Sequence, residues 1–351
     1  MPDKLIIHLG DCKTGSTSIQ TILFRKAWFS KSHSIIYPKS FNHIALAKCL
    51  YQKDLLGSQP KIYNKIRQII LDSDASTAIL SAEAFEFTDP QLVRNSIDTY
   101  FPEFKNNVQL ISYFRPHAAR FLAAYSERVK KGGFTGTLDE FFNFFDQKDI
   151  LEYAPRIKRW KDLFGDQYHL RPMIPSILKA NDVVHDFFAF ALGDDDFEFT
   201  ESTRHNESVS LQDLSSFRYI HQKFCELDPQ KSLIDSRKRL GKHLSIVMAN
   251  IPLQNPEKLQ LHGALAQKIK DNYIEDAKII DEEYFNDSVM QSSLQSSVDK
   301  ALDIPQSLEV QDHFQSETIR MVDCWFELNY RMMKIDPNLF LMLKQPKEIL
   351  K

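Results

Sequence analysis

Five short apolar runs, at residues 5–9, 34–37, 77–81, 108–114 and 168–172, punctuate the first half of the chain, and each has the length of one buried strand. Between them apolar residues recur at helical spacing, at 61–71 and 118–129 for example. Residues 16–28 predict a first helix with Ile19, Ile22, Leu23 and Trp28 as core positions. Strands that alternate with helices predict an α/β fold, a parallel sheet covered on both faces. From about residue 210 the strand signals fade, and helices are predicted over 211–225, 258–276 and 317–334. The Ser/Gln-rich stretch 286–316 reads as a loose connection. The expected organisation is therefore an α/β domain over 1–285, that connection, and a helical extension over 317–351. In the extension Ile319, Val322, Trp325 and Phe326 share one helical face, which either packs on the chain's own core or makes the subunit contact of a homodimer.

Composition narrows the partners. At 351 residues, 43% hydrophobic and 26% charged, the chain resembles an ordinary folded enzyme and not a disordered segment. A net charge of -3 gives no global field that would gather nucleic acid, so any anion must be held by a local cluster of donors. The four cysteines, Cys12, Cys49, Cys225 and Cys324, form no zinc-type spacing, and no metal site is expected. No run approaches the roughly 20 apolar residues of a membrane span, and the start lacks the basic and apolar blocks of a signal peptide. The expectation is a cytoplasmic chain with free thiols and no stable membrane insertion.

The most informative segment is His8-Leu9-Gly10-Asp11-Cys12-Lys13-Thr14-Gly15-Ser16-Thr17-Ser18, between the first strand and the first helix. A helix N-terminus presents unpaired N–H groups and the positive end of its dipole, so a loop there can cradle a phosphate. Gly10 and Gly15 permit the tight turn. Lys13 adds a full charge, and Thr14, Ser16, Thr17 and Ser18 add hydroxyls. The order differs from the nucleoside-triphosphate loop, where lysine follows the second glycine and precedes a magnesium-binding Ser or Thr. Here Lys13 comes two residues before Gly15, which suits a phosphosulfate without a metal.

Cys12-Lys13-Thr14-Gly15-Ser16-Thr17-Ser18 resembles the donor loop of sulfotransferases dependent on 3′-phosphoadenosine-5′-phosphosulfate (PAPS), in particular the bacterial, glycan-type members. The resemblance covers about residues 4–285. It implies a three-layer P-loop-type fold with a central parallel sheet and a helical C-terminal region. It also implies PAPS as co-substrate, adenosine 3′,5′-bisphosphate as product, and a glycan or small molecule as acceptor of a sulfuryl group on a hydroxyl or amine. Arg115 ends a predicted strand, where ligands bind in open α/β sheets. The family carries a similar arginine followed by a helix with serine and tyrosine, and this assigns Arg115, Arg120 and Tyr125 to the 3′-phosphate. The departure is at Ala123, where the family usually has serine; Ser126 lies three residues on. Arg204-His205-Asn206-Glu207-Ser208-Val209-Ser210 resembles a further phosphate-proximal stretch, with Arg204 as ligand, and Ser208 or Ser210 also suits a helix N-cap.

Sulfuryl transfer needs charge stabilisation at the leaving oxygen, which suits Lys13, and a base for the acceptor proton. Glu83 follows the predicted strand 77–81 at the end that also carries the loop, and Ser81-Ala82-Glu83 looks like the element that holds the basic glutamate in glycan sulfotransferases. His8 and His117 are the alternative bases. Two other functions stay open on the residues: a P-loop nucleotide kinase or hydrolase, and a catalytically silent nucleotide-binding module.

Overall fold

The computed structural model describes residues 1–146, 150–203 and 209–341. The strands are β1 (Lys4–Gly10), β2 (Trp28–Phe29), β3 (Ile35–Ile36), β4 (Thr77–Ser81), β5 (Val108–Phe114), β6 (Tyr168–Pro172) and β7 (Glu198–Phe199). The helices begin with α1 (Ser16–Arg25), α2 (Ile44–Tyr51), α3 (Gln59–Leu71), α4 (Pro90–Tyr100), α5 (His117–Lys130) and α6 (Leu138–Asp146). They continue with α7 (Ala154–Phe164), α8 (Val183–Leu192), α9 (Leu211–Leu227), α10 (Ile234–Asn250), α11 (Gly263–Ile280), α12 (Val289–Asp299) and α13 (Ser316–Ile335). The chain divides into two compact units, Met1–Pro116 with Glu152–His205 and Ile274–Ser293, and His117–Leu151 with Asn206–Tyr273 and Leu294–Lys351.

The first unit is an α/β structure around a five-stranded sheet of order β3-β4-β1-β5-β6 in which every pairing is parallel. Its strands are the five predicted ones, because a parallel strand buried on both faces shows in sequence as an apolar run with no need of alternation. Ile6, Ile79, Ile111 and Tyr113 pack with Ile19, Ile22 and Leu23 of α1 and Val184, Phe187 and Phe188 of α8. Alternation along the strands turns the equally buried Leu5, Ile7, Leu80 and Leu110 to the other face. From β1 the chain crosses first to β3 and β4 and then to β5 and β6. The connections thus diverge at the C-terminal end of β1, the kind of switch point where such sheets bind ligands.

The first helix stops at Arg25, short of the predicted end at Trp28. Lys26 adopts a left-handed φ of 54°, and the Ala27 N–H reaches back to the Ile22 carbonyl at 3.0 Å, a C-capping turn that ends the helix. Trp28 and Phe29 then pair antiparallel with Phe199 and Glu198.

The second unit is helical in its described residues. Phe121 and Tyr125 of α5 meet Phe141 of α6 at ring separations of 5.4 Å. A second cluster joins Ile220 and Phe224 of α9, Leu233 and Leu240 at α10, and Phe326 and Met333 of α13, with Val322 and Trp325 packed against it. Of the four residues expected on one face of the C-terminal helix, Val322, Trp325 and Phe326 pack on this cluster. A different row, Met321, Leu328, Met332 and Ile335, is exposed. The stretch read as a loose connection carries α12. Its first turn is capped by the buried Asp281 carboxylate, which accepts from the Met290 and Gln291 N–H groups at 2.9 Å each. Met290 and Leu294 give this helix a buried face only two residues wide, too narrow to stand out among serines and glutamines.

Candidate active site

The loop after β1 is shaped by three left-handed residues: Gly10 (φ 91°), Lys13 (φ 71°) and Gly15 (φ 78°). Pairing with β5 slips in register between His8 and Gly10, which re-aims the chain as it leaves the sheet. A Cβ on Gly10 would stand 2.7 Å from the Glu83 Cα, so the absence of a side chain is what lets the segment after β4 close over the loop. Gly15 is the N-cap of α1 and supplies no side-chain acceptor, so the first turn keeps its positive, donor-rich character.

Glu83 stands two residues beyond the end of β4 and is half-buried. Its Oε2 accepts the Ser16 hydroxyl at 2.9 Å, which ties the candidate base directly to the first residue of α1. Oε1 has no partner among the described residues. Lys13 is half-buried in the same loop, and Arg115 is half-buried at the C-terminal end of β5, its carbonyl accepting the Tyr153 hydroxyl at 2.9 Å. Three adjacent strands, β4, β1 and β5, therefore bring Glu83, Lys13 and Arg115 to one edge of the sheet.

The polar residues of the loop divide in use. The fully buried Thr14 hydroxyl donates to the Asp11 carbonyl at 2.6 Å and braces the turn, so that hydroxyl is not offered to a ligand. Ser16 holds Glu83, Ser18 is buried, and Thr17 is half-buried. A set of residues that sequence reasoning missed holds the loop from behind. Arg156, in the first turn of α7, grips the Asp11 carboxylate with both terminal nitrogens at 2.8 and 2.7 Å and lies 3.4 Å from Glu86. Glu86 in turn accepts the Cys12 N–H at 2.9 Å. Burial alone would lower the Arg156 pKa, but the charge and hydrogen bonds of Asp11, with the charge of Glu86, outweigh it and hold the guanidinium above its usual range. The N-terminus of α7 is itself fixed by Asp276, which accepts the Tyr153 and Ala154 N–H groups at 3.1 and 2.8 Å. The available signal was Asp11 and Arg156 as isolated charges beside apolar stretches, with nothing to join them across 145 positions.

Both histidine alternatives are sealed. His8 is fully buried between the rings of Tyr113 and Phe187, at 5.9 and 5.4 Å, and burial lowers its pKa to about 3. Ser81 Oγ accepts from Gln20 at 3.0 Å and is hydrogen-bonded to His8 Nδ1 at 2.9 Å, and burial keeps His8 a neutral core residue. His117 is fully buried in the second unit, stacked on Tyr273 at 5.4 Å.

Tyr125 corrects an expectation. It lies in the second unit with its ring fully buried against Phe134 and Phe141, and its hydroxyl donates to the Gly136 carbonyl at 2.9 Å. Its donor is occupied by the core, which is why it is not a phosphate ligand here. Ser126 donates to the Leu122 carbonyl at 2.9 Å, and Arg120 is buried in the same helix. Arg204 lies outside the described residues. Ser210 performs the N-cap role, accepting the Asp213 N–H at 3.0 Å.

No protein-family model matches the chain, and no curated protein does. Among solved structures, a sulfotransferase from Alicyclobacillus acidocaldarius is similar at 15% identity, with a TM-score of 0.41, over 65% of this chain and 96% of that one.

Proposed function

We propose that the chain is a sulfotransferase that moves a sulfuryl group from PAPS to a hydroxyl or amine, on a carbohydrate acceptor. The observation that carries this reading is the hydrogen bond between Glu83 and Ser16, which sets a carboxylate against the helix N-terminus that follows the lysine-bearing loop. A loop built only to bind phosphate gains nothing from a carboxylate at its mouth, whereas transfer to a hydroxyl requires an acceptor of protons there. The donor set suits a phosphosulfate: a lysine, an arginine at the next strand end, and first-turn amides, with the nearby Asp11 and Glu86 charges offset by Arg156. Glu83 takes the acceptor proton on Oε1 as the acceptor oxygen bonds to sulfur. The bond from sulfur to the nucleotide's phosphate oxygen breaks, its electron pair stays on that oxygen, and Lys13 offsets the charge that develops there. Adenosine 3′,5′-bisphosphate leaves.

The test is calorimetric titration of the full chain with adenosine 3′,5′-bisphosphate, and with ATP in the presence and absence of magnesium, beside an acceptor screen using labelled PAPS. Metal-independent bisphosphate binding with transfer of label is the expected result. Magnesium-dependent ATP binding would point to a kinase or hydrolase, and bisphosphate binding with no transfer to any acceptor would point to a silent module.

A further inference from the structure

The strand order fixes which side of the candidate site is left for the acceptor. Lys13 and Arg115 follow β1 and β5, Glu83 follows β4, and beyond β4 the sheet continues only to β3. With the donor on the β1–β5 side, the acceptor reaches Glu83 over the ends of β4 and β3. The chain at those ends is residues 37–51, the loop after β3 and then α2. His43 ties it to β4, its N–H donating to the Ser81 carbonyl at 2.8 Å and its Nδ1 accepting the Ser81 N–H at 3.0 Å. Helix α2 also packs against the turn Glu83–Phe87, whose Glu86 accepts the Cys12 N–H. Leu46, Ala47, Cys49 and Leu50 are its buried residues. Lys48 and Tyr51, three residues apart and so neighbours on one side of the helix, are half-buried.

Burial and then the charge of Cys12 push the Tyr51 phenol up, so it keeps its proton, and its oxygen lies within electrostatic reach of the residue before Lys13. It makes no hydrogen bond among the described residues, which leaves an O–H donor beside the anion loop. Charge on this flank is one-sided. Residues 37–58 carry Lys39, Lys48 and Lys53 against Asp54, on a chain whose net charge is -3, and none of the three lysines has an ion-pair partner among the described residues. The carboxylates of the site are engaged elsewhere, Asp11 and Glu86 by Arg156 and Glu83 by Ser16. We propose that the acceptor is an acidic carbohydrate, a uronate whose carboxylate is held by the Lys48 ammonium and the Tyr51 hydroxyl while a neighbouring sugar hydroxyl meets Glu83. The proposal rests on the transfer reading above. One ammonium and one phenol match the two oxygens of a carboxylate, whereas a phosphate dianion would call for the denser charge of the donor side.

Calorimetry of the full chain with adenosine 3′,5′-bisphosphate present tests it, using a glucuronate-containing tetrasaccharide and the same tetrasaccharide with its carboxyl groups reduced to alcohols. The acidic form should bind, and the reduced form should bind roughly ten- to hundredfold more weakly, the scale of one charge-assisted contact. Lys48→Gln should remove most of that difference and Tyr51→Phe part of it, while both variants melt with the wild type and keep its affinity for the bisphosphate. In transfer assays with labelled PAPS the same substitutions should raise the acceptor KM, with a smaller effect on kcat. Equal binding of the two tetrasaccharides, no binding of either, or variants that discriminate as the wild type does would overturn the proposal. So would a loss confined to bisphosphate affinity, which would give Lys48 and Tyr51 to the donor. Transfer to a neutral sugar with unchanged KM in both variants would reject the acidic acceptor and leave the sulfotransferase reading standing. Discrimination between the tetrasaccharides that Lys48→Gln abolishes, without transfer to either, would keep the acidic subsite and reject that reading.

Discussion

His8 stands on β1 and Glu83 just past the end of its neighbour β4, yet their surroundings assign them opposite roles. One oxygen of Glu83 is held by Ser16 while the other is left to accept, and the side chain is half-buried; His8 has no exposed surface and is kept neutral by burial, with a pKa of about 3. A group that cannot touch the acceptor cannot take its proton. Glu83→Gln preserves shape and the ability to accept from Ser16 but removes the base. We expect turnover to fall by roughly 10²- to 10⁴-fold with adenosine 3′,5′-bisphosphate affinity nearly unchanged. His8→Asn, compared at equal folded fraction, should cost far less turnover and show its effect in thermal stability. Retained activity in the glutamine variant alongside loss in the asparagine variant would reverse the assignment.

At the scale of elements, the loop after β1 is only as rigid as its support. Arg156 is the centre of that support, because its one positive charge bridges the carboxylates of Asp11 and Glu86, both almost wholly buried at the side chain. Removing the cation takes away the guanidinium that both buried carboxylates contact, a change that typically costs about 3–5 kcal/mol. Arg156→Met should therefore lower the melting temperature by roughly ten degrees, and adding Asp11→Asn should restore part of the loss. A single variant that melts with the wild type would show that the network contributes nothing. The contrast between what was and was not legible in the sequence follows from the same distances. The strands carrying Lys13, Glu83 and Arg115 could be read because parallel strands leave continuous apolar runs, and Gly10 and Gly15 marked the turn between β1 and α1. Arg156 could not, since its partner is remote in sequence and its helix looks like any other amphipathic segment. Tyr125 was misread for the complementary reason: the residue type suits a phosphate, and only packing reveals that its hydroxyl is directed to Gly136. Helix α10 escaped notice because Leu240 and Leu244 give it only a narrow apolar side among basic and polar residues.

Among the described residues, three buried histidines are pushed to about 4 or lower and so are neutral in the fold: His8 and His43 in the first unit and His221 in the second. Burial lowers His8 to about 3. It lowers His43 to about 4 against the opposing hydrogen bonds at Pro38 and Ser81, and His221 to about 4 against the Lys130 carbonyl, with Arg237 adding to the fall. In the unfolded chain each returns to about 6.5. Above that value both states are neutral and pH has no effect through these groups. Below it the unfolded chain takes up protons that the folded one refuses, so stability falls as pH falls. Each group contributes about 1.4 kcal/mol per pH unit at its steepest, so the three together approach about 4 kcal/mol per unit near pH 5.5. The loss through His43 and His221 levels off near pH 4 and that through His8 near pH 3. Carboxylates such as Glu103, where Arg67 outweighs the effect of burial, act below 4.5, so the upper part of the window belongs to the histidines. Urea unfolding from pH 7.5 to 5 should show stability flat above about 7 and then falling with a slope approaching three protons. Imidazole proton resonances of the folded protein should stay at their neutral positions for these three residues over the same range. A flat stability curve together with titrating resonances near pH 6.5 would mean that the three side chains reach water in the folded state, and their assignment to the core would be withdrawn.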